Sequence, residues 1–316
     1  MPTGLLAFSI SVLLLFLSRR AAESALYTWI YFPDDTFEGF VGFPAAQALV
    51  RAGHTVYGLA RAEAKAKMLA AEEIIPVIGD VDSDNWIPLI AKPDVILEAV
   101  GGGEIATQAR ATFERVVKAV ADLRPADAPL LSYIYTSGMW VHGDSRTEVV
   151  TDTTPIVRPL SPVAWRPAVE QLVARSAAVN GIVVRPVSVY GRSASLLAML
   201  FKGASQGRVT WPGTPGGHYP VVHTDDLADL YVRVTEKASL LGGKIFDVAT
   251  PNLVSVDELL QRVVEVSGAK GPYEYTRPTN AFEEALAASV LARPYFAKAL
   301  LGWSPRKPGL IENIEV

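Results

Sequence analysis

Two glycines three residues apart, Gly39 and Gly42, stand directly before an apolar helical pattern that ends at Gly53. A short strand pattern follows and ends at Arg61. Glycines at the start of a helix let a phosphate approach backbone N–H groups and the positive end of the helix dipole. An ordinary tight turn before a helix has the same spacing, so the glycine pair by itself leaves both interpretations open.

Arg61 favours the nucleotide interpretation. It follows the second strand, where a site selective for NAD usually carries Asp or Glu to bind the ribose 2′-hydroxyl. A guanidinium group suits a 2′-phosphate instead. The sequence therefore predicts NADP as the cofactor, with NAD as the alternative.

The loop before the glycine pair opposes phosphate binding. Thr36 occupies the position where a three-glycine pattern needs its first glycine, and Asp34, Asp35 and Glu38 are close by. Each carboxylate would repel a pyrophosphate by roughly 1 kcal/mol at a surface dielectric. A loop that bends the carboxylates away and a site that binds weakly are both consistent with this pattern.

Composition excludes several classes of function. The chain has 316 residues, half of them apolar, a net charge of −4 and no basic run, which argues against nucleic acid as a partner. It has no cysteine, which excludes disulfides, zinc-thiolate sites and cysteine nucleophiles. Its four histidines are not at metal-ligand spacing, so we predict no metal site.

An apolar run at residues 5–17 precedes Arg19 and Arg20, and we treat residues 1–25 as a leader segment. The run is shorter than the roughly twenty residues that span a bilayer, and its charge follows rather than precedes it, unlike a secretory signal. We predict a cytoplasmic protein. A membrane anchor at 5–17 and an incorrectly assigned start over residues 1–35 are the alternatives.

Strand and helix patterns alternate along the first half of the chain. The strand patterns cover residues 26–32, 54–60, 74–78, 94–100 and 130–135, and helical patterns lie between them. This alternation predicts an α/β fold, a doubly wound parallel sheet with helices on both faces. Asp80, after the third strand, can accept a hydrogen bond from an adenine amino group, although a turn or N-cap role fits equally well. Asp225 and Asp226 begin a later helix and are predicted to cap it.

These segments together resemble the extended short-chain dehydrogenase/reductase family, its NAD-dependent epimerase/dehydratase-like group. The matching motifs cover about residues 36–260 and are Gly39-Phe-Val-Gly42, Arg61, Gly79-Asp80, Tyr135-Thr-Ser-Gly138 with Val141-His-Gly143, Arg185-Pro-Val-Ser-Val-Tyr-Gly191, and Val222-His-Thr-Asp-Asp226-Leu-Ala. The resemblance implies a Rossmann-like domain at 26–191, with a returning strand near 243–250. It also implies a smaller C-terminal substrate domain, mostly 192–316, and a homodimer built on two helices.

The resemblance further implies a set of cofactor-binding residues. They are Gly39, Phe40, Val41, Gly42, Arg61, Asp80, Val81, Ala99, Val100, Gly101, Thr136, Arg166, Pro186 and Val189.

In the family, a Ser or Thr after the fifth strand acts with a Tyr and with a Lys four residues after it. Ser137 is the best match for the hydroxyl, although an ungapped count to Gly143 puts Gly138 there. Counting back from Glu170 places Arg166 at the lysine position. We predict Ser137 and Arg166 as the catalytic residues.

The family tyrosine is missing. Its position falls on Pro162 or on Val163, depending on the direction of the count. Arg166 can bind ribose hydroxyls or a phosphate, but a guanidinium does not transfer protons. Tyr190 and His142 are the candidate substitutes, and a structural role is the stronger prediction for each.

The sequence predicts an NAD(P)-binding, oxidoreductase-like protein that acts on a small-molecule substrate. That substrate is an aldehyde, ketone or alcohol, or a sugar nucleotide in an epimerase-like reaction. The alternative is a non-catalytic NAD(P)-binding sensor that has lost the proton-transfer tyrosine. A third interpretation is loss of nucleotide binding through Thr36 and the acidic loop.

Overall fold

The computed structural model describes residues 27–32, 39–99, 105–192 and 195–314. The apolar run at 5–17, the acidic loop with Thr36, and the predicted binding residues Val100 and Gly101 lie outside the described residues. Among the described residues, no helix combines the length and the apolar character that crossing a bilayer requires.

The described strands are β1 (Tyr27–Phe32), β2 (Thr55–Ala60), β3 (Ile75–Ile78), β4 (Val95–Glu98), β5 (Ser132–Thr136), β6 (Val149–Val150), β7 (Asn180–Pro186), β8 (Ser188–Tyr190), β9 (Thr210–Pro212), β10 (His218–Tyr219), β11 (Val221–His223), β12 (Ile245–Val248), β13 (Val254–Ser255), β14 (Glu274–Thr276) and β15 (Leu291–Ala292). The described α-helices are α1 (Gly42–Arg51), α2 (Glu63–Ala71), α3 (Ile105–Leu123), α4 (Arg166–Ala174), α5 (Ala198–Ser205), α6 (Thr224–Glu236), α7 (Val256–Ser267), α8 (Ala281–Ala287) and α9 (Phe296–Leu301). Short 3-10 helices cover Ile87–Ala91, Met139–His142, Ser161–Val163, Ala238–Leu240 and Ile311–Asn313.

The strand order confirms the predicted α/β fold. β2 pairs in parallel with β1 on one side and β3 on the other, and β4 pairs in parallel with β5. β1, β2 and β3 form one hydrogen-bonded sheet, and β4, β5, β7 and β12 form a second, whose β4 edge lies next to β1. The order 3-2-1-4-5-7-12 reverses direction between β1 and β4, as in a Rossmann-like sheet. β12 is the returning strand predicted near 243–250.

The sheet is buried because helices pack on it. All four residues of β4 and all five of β5 are buried. Such continuous burial is typical of parallel strands covered on both faces. α3 buries Ala109, Phe113 and Val116, whose spacing places them on one helix face. The Phe113 ring meets Tyr133 of β5 edge to face, with ring centroids 5.1 Å apart.

Helix α1 ends as predicted. Its last residue is Arg51, and Gly53 has a φ of +88°, a backbone conformation that glycine adopts without a Cβ clash. The chain can therefore turn sharply from α1 into β2.

Contacts between Cα atoms divide the chain into two compact units. Unit 1 contains the described residues up to 137, together with 168–183 and 228–245. Unit 2 contains 138–167, 184–227 and the described residues from 246 onward. The predicted domains, with their boundary at residue 191, stay a prediction.

Asp226 holds the C-terminal segment of unit 2. Its carboxylate accepts the backbone N–H groups of Arg306 and Lys307 at 2.9 and 3.1 Å, and its carbonyl accepts the Trp303 indole N–H at 2.9 Å. Asp225 pairs with Arg192 and Lys307, both at 3.0 Å. The two carboxylates predicted as helix caps thus bind groups outside α6.

His54, between α1 and β2, is a buried titratable group. It is 8% exposed, and neither ring nitrogen has a hydrogen-bond partner within the described part of the chain. Burial lowers the pKa of His54 from 6.5 to about 4. The folded state therefore favours the neutral form of His54. The free energy of unfolding that depends on this neutral ring is fully present above pH 6.5 and is lost as the pH falls toward 4.

We expect the free energy of unfolding to fall with pH more steeply in the wild type than in His54→Leu. The difference between pH 7 and pH 4 should reach up to about 3 kcal/mol, because unfolded His54 binds the proton that the folded state excludes. Urea denaturation of both proteins across this pH range measures it. Parallel pH profiles would show that His54 does not titrate on unfolding.

Candidate functional site

The predicted cofactor residues of unit 1 follow the strands of a parallel sheet. Because parallel strands share one direction, the residues after β1, β2, β3, β4 and β5 lie along the same edge. We call this set the carboxyl edge: Gly39 to Gly42, Arg61, Asp80, Val81, Ala99, Thr136 and Ser137. In α/β sheets, ligands bind at this edge where the strand order reverses, which here lies between β1 and β4.

The start of α1 can receive an anion. Gly39 and Gly42 are buried, and the Gly39 carbonyl accepts the Phe43 N–H at 2.7 Å. The N-cap residue is Val41, which forms no side-chain cap. The helix dipole gives this end of α1 a positive potential, although the Phe43 N–H is already bonded and Pro44 has no N–H to offer.

Arg61 and Asp80 lie side by side at the carboxyl edge. Arg61 Nη1 is 3.6 Å from Asp80 Oδ2, and the side chains are 34% and 38% exposed. The second Asp80 oxygen, Oδ1, accepts the backbone N–H of Val81 at 2.6 Å. The structure thus brings together two residues that were predicted separately, one for the 2′-phosphate and one for adenine.

The loop that carries Asp80 is fixed from α3. Arg115 donates to the carbonyl oxygens of Val81 at 2.6 Å and Ser83 at 2.8 Å, and it pairs with Asp84 at 2.5 Å. The guanidinium also lies 5.3 Å from the centre of the Trp86 ring. Val81 is fully buried, and its carbonyl links this loop to α3.

The two hydroxyls at the end of β5 are bonded within unit 1. Thr136 Oγ1 lies 2.7 Å from the hydroxyl of Tyr231 on α6, and burial raises the pKa of that phenol. Ser137 Oγ donates to Glu170 on α4, a residue with no exposed surface. Glu170 was not predicted as a site residue, although a carboxyl group among the buried residues Val169 and Val173 marks it as unusual.

The predicted residues of unit 2 have partners in that unit. The Arg166 guanidinium lies 4.7 Å from the centre of the Trp165 ring, and the Trp165 indole donates to the Pro162 carbonyl at 3.2 Å. Pro186 is buried at the end of β7, and Val189 is half-buried on β8.

The candidate substitutes for tyrosine are both engaged inside unit 2. His142 Nε2 lies 2.8 Å from Asp247, and the His142 side chain is 1% exposed. The Tyr190 hydroxyl donates to the Pro308 carbonyl at 2.6 Å, and burial raises the pKa of Tyr190 to about 12. Both observations favour the structural interpretation. Within the described ranges, no group of three His, Asp or Glu side chains is placed to hold a metal ion.

Known proteins resemble this chain in sequence or in fold. The uncharacterized protein C2A9.02 of Schizosaccharomyces pombe is 28% identical over 228 residues, which cover 70% of this chain and 75% of that protein. A dTDP-glucose 4,6-dehydratase of Bacillus anthracis, solved with NAD, has a TM-score of 0.68 at 13% identity and covers 85% of this chain and 90% of its own. A human epimerase family protein, solved with NADPH, has a TM-score of 0.65 at 17% identity and covers 87% and 97%. The solved structures show that the fold is shared.

The family model described as the NAD dependent epimerase/dehydratase family matches residues 37–249. The match begins at the glycine pair, contains Arg61, Asp80, Ser137 and Glu170, and ends after β12. Because it spans more than half of the 316 residues, this chain belongs to the NAD-dependent epimerase/dehydratase family.

Proposed function

We propose that this chain is an oxidoreductase that binds NADP at the carboxyl edge and acts on a small carbonyl compound or alcohol. An epimerase-like reaction on a sugar nucleotide is the second form of this proposal. It is supported by the fold shared with the dTDP-glucose 4,6-dehydratase. The observation that carries the proposal is the placement of Arg61 and Asp80 on the same edge as the uncapped start of α1.

The residues of unit 1 fit the parts of a dinucleotide. The start of α1 suits the pyrophosphate, Asp80 suits the adenine amino group, and Arg61 suits a 2′-phosphate. Ala99, 4% exposed at the end of β4, has a small side chain that permits close approach. NADP is proposed over NAD because Arg61 stands where an NAD site carries a carboxylate.

NADP, when bound, supplies or accepts a hydride. The chain's own contribution to proton handling is Ser137. Because its hydroxyl proton points to Glu170, the Ser137 oxygen can accept a hydrogen bond from a substrate hydroxyl while its own proton moves to the Glu170 carboxyl group. For Arg166, in unit 2, we propose the role that the sequence predicts, which is binding of ribose hydroxyls or a phosphate.

A second candidate function is nucleotide binding without hydride transfer, as in a sensor or regulatory protein. Counting along the sequence puts the family tyrosine at Pro162 or at Val163, and neither side chain can transfer a proton. Ser137 already donates to Glu170 and so has no second proton for a substrate oxygen. These observations support the non-catalytic alternative.

We further propose a cytoplasmic homodimer. Within unit 1, α3 and α4 border a groove of about 570 Å³ whose lining includes Val117, Leu172, Arg110, Glu114 and Arg175. In a twofold interface the same surface meets itself, so apolar residues face apolar residues and Glu114 can face an arginine of the second copy.

Leu172→Glu should weaken the dimer, because it places a carboxylate in the apolar part of the groove. We expect the dissociation constant to rise at least about tenfold. Light scattering at micromolar concentration measures the mass. Ala177→Glu, which adds the same charge at an exposed residue outside the groove lining, is the control, and a monomeric wild type would contradict the proposal.

Arg61→Ala should weaken NADPH about ten- to a hundredfold and NADH less than about threefold, because only NADPH carries the 2′-phosphate. Calorimetric titration of both nucleotides measures this. Lys67→Ala removes an exposed cation from α2 and serves as the control. Equal weakening of both nucleotides would refute the 2′-phosphate role, and binding of neither to the wild type would refute the proposed site.

Turnover distinguishes the two candidate functions. We expect the protein to oxidise NADPH with at least one member of a panel of aldehydes, ketones and nucleotide sugars. In Ser137→Ala, kcat should fall roughly ten- to thousandfold. Ser132→Ala removes a buried hydroxyl from the other end of β5 and is the matched control. Saturable NADPH binding without any turnover would favour the sensor, and an unchanged kcat would remove Ser137 from the site.

A further inference from the structure

We infer that Asp80 sets the choice between NADP and NAD by opposing the 2′-phosphate that Arg61 attracts. The inference rests on the proposed function, since it concerns the same nucleotide site. Its starting point is the pair of Arg61 Nη1 and Asp80 Oδ2, 3.6 Å apart at the ends of neighbouring strands.

The backbone holds Asp80 in this position. Its Oδ1 accepts the Val81 N–H at 2.6 Å, and its own N–H donates to Ser83 Oγ at 3.1 Å. Ser83 Oγ in turn donates to the Asp80 carbonyl at 2.6 Å. Arg115 fixes the same loop through the carbonyls of Val81 and Ser83. The Asp80 carboxylate therefore stays near Arg61, and a phosphate that reaches the guanidinium also approaches the carboxylate.

The other charges of the loop do not offset this repulsion. Arg115 pairs with Asp84, and Asp82 is an exposed carboxylate of the same loop. A 2′-phosphate carries between one and two negative charges at neutral pH, whereas the ribose 2′-hydroxyl of NADH carries none. The Asp80 carboxylate therefore repels NADPH and not NADH. Only NADPH also has to displace Asp80 from Arg61.

The adenine role of Asp80 can be separated from this effect. NADH and NADPH share the adenine, so loss of an adenine contact weakens both nucleotides equally and cancels in the ratio of their dissociation constants. The effect on the 2′-phosphate remains in that ratio. The ratio, rather than either affinity, is therefore the measurement that reports selectivity.

The test titrates NADPH and NADH by calorimetry into the full chain and its variants Asp80→Asn, Arg61→Ala, the double variant and Asp82→Asn. Asn keeps an oxygen that can accept the Val81 N–H but removes the charge. We expect Asp80→Asn to shift the ratio of dissociation constants toward NADPH by about three- to thirtyfold. Asp82→Asn, with the same change in net charge, should shift it less than about twofold.

The double variant and salt separate the causes. The shift in the ratio caused by Asp80→Asn should be smaller in the Arg61→Ala background. Part of that shift arises because loss of the Asp80 charge leaves Arg61 available to the 2′-phosphate, and this part needs Arg61. The shift should also shrink between 50 and 500 mM salt, roughly, since the groups are partly exposed. Asp80→Ser is the second variant, and melting temperatures confirm that each protein is folded.

An unchanged ratio in Asp80→Asn and Asp80→Ser, with a wild type that binds nucleotide, would overturn this inference and leave the proposed function intact. A shift toward NADH would overturn it too, because Asp80 would then be positioning Arg61 for the phosphate. A wild type that binds neither nucleotide would overturn the proposed function and this inference together.

Discussion

Parallel pairing is the constraint on which the rest of unit 1 depends. Parallel strands cannot be joined by a tight turn, so each of β1 to β5 is followed by a crossover to the other end of the sheet. Every strand then ends at the same edge. The crossover helices cover the sheet, and the buried strands β4 and β5 are the result. The carboxyl edge, with its glycine turn and charged residues, therefore follows from the way the strands are connected and does not depend on a ligand.

Local patterns predicted the elements of unit 1 because each carries its own signal. Gly53 marks the end of α1, and the apolar runs mark β2, β4 and β5. The later apolar run at 180–190 does not form one strand, since it divides into β7 and β8. Pro186 has no N–H for a sheet ladder, and β8 pairs with β11 instead. Local sequence periodicity does not predict this pairing, because β11 begins 33 residues after β8 begins.

The candidate site was predicted as separate residues rather than as an arrangement. Arg61 and Asp80 each follow a strand, and their roles could be argued one at a time. Their proximity depends on the register between β2 and β3, which pairs Ala60 with Ile78 and so brings the next residues of both strands together. A one-residue slip would change the direction of every side chain in β3. Register is set by packing across the sheet, and sequence periodicity does not report it.

The pairing of Ser137 with Glu170 shows how burial constrains chemistry. Placing a carboxyl group where none of it is exposed is unfavourable unless hydrogen bonds compensate, and Ser137 supplies one of them. A purely structural link between β5 and α4 does not require a group that can ionise, since an amide accepts the same hydrogen bond. A group that takes up and returns a proton, by contrast, must be one that can ionise. Glu170 is a buried acid in direct contact with Ser137, the predicted catalytic hydroxyl, and the sequence predicts that the family tyrosine is missing. The contact between Ser137 and Glu170 is thus the place in unit 1 where burial and hydrogen bonding together restrict what the predicted catalytic hydroxyl can do.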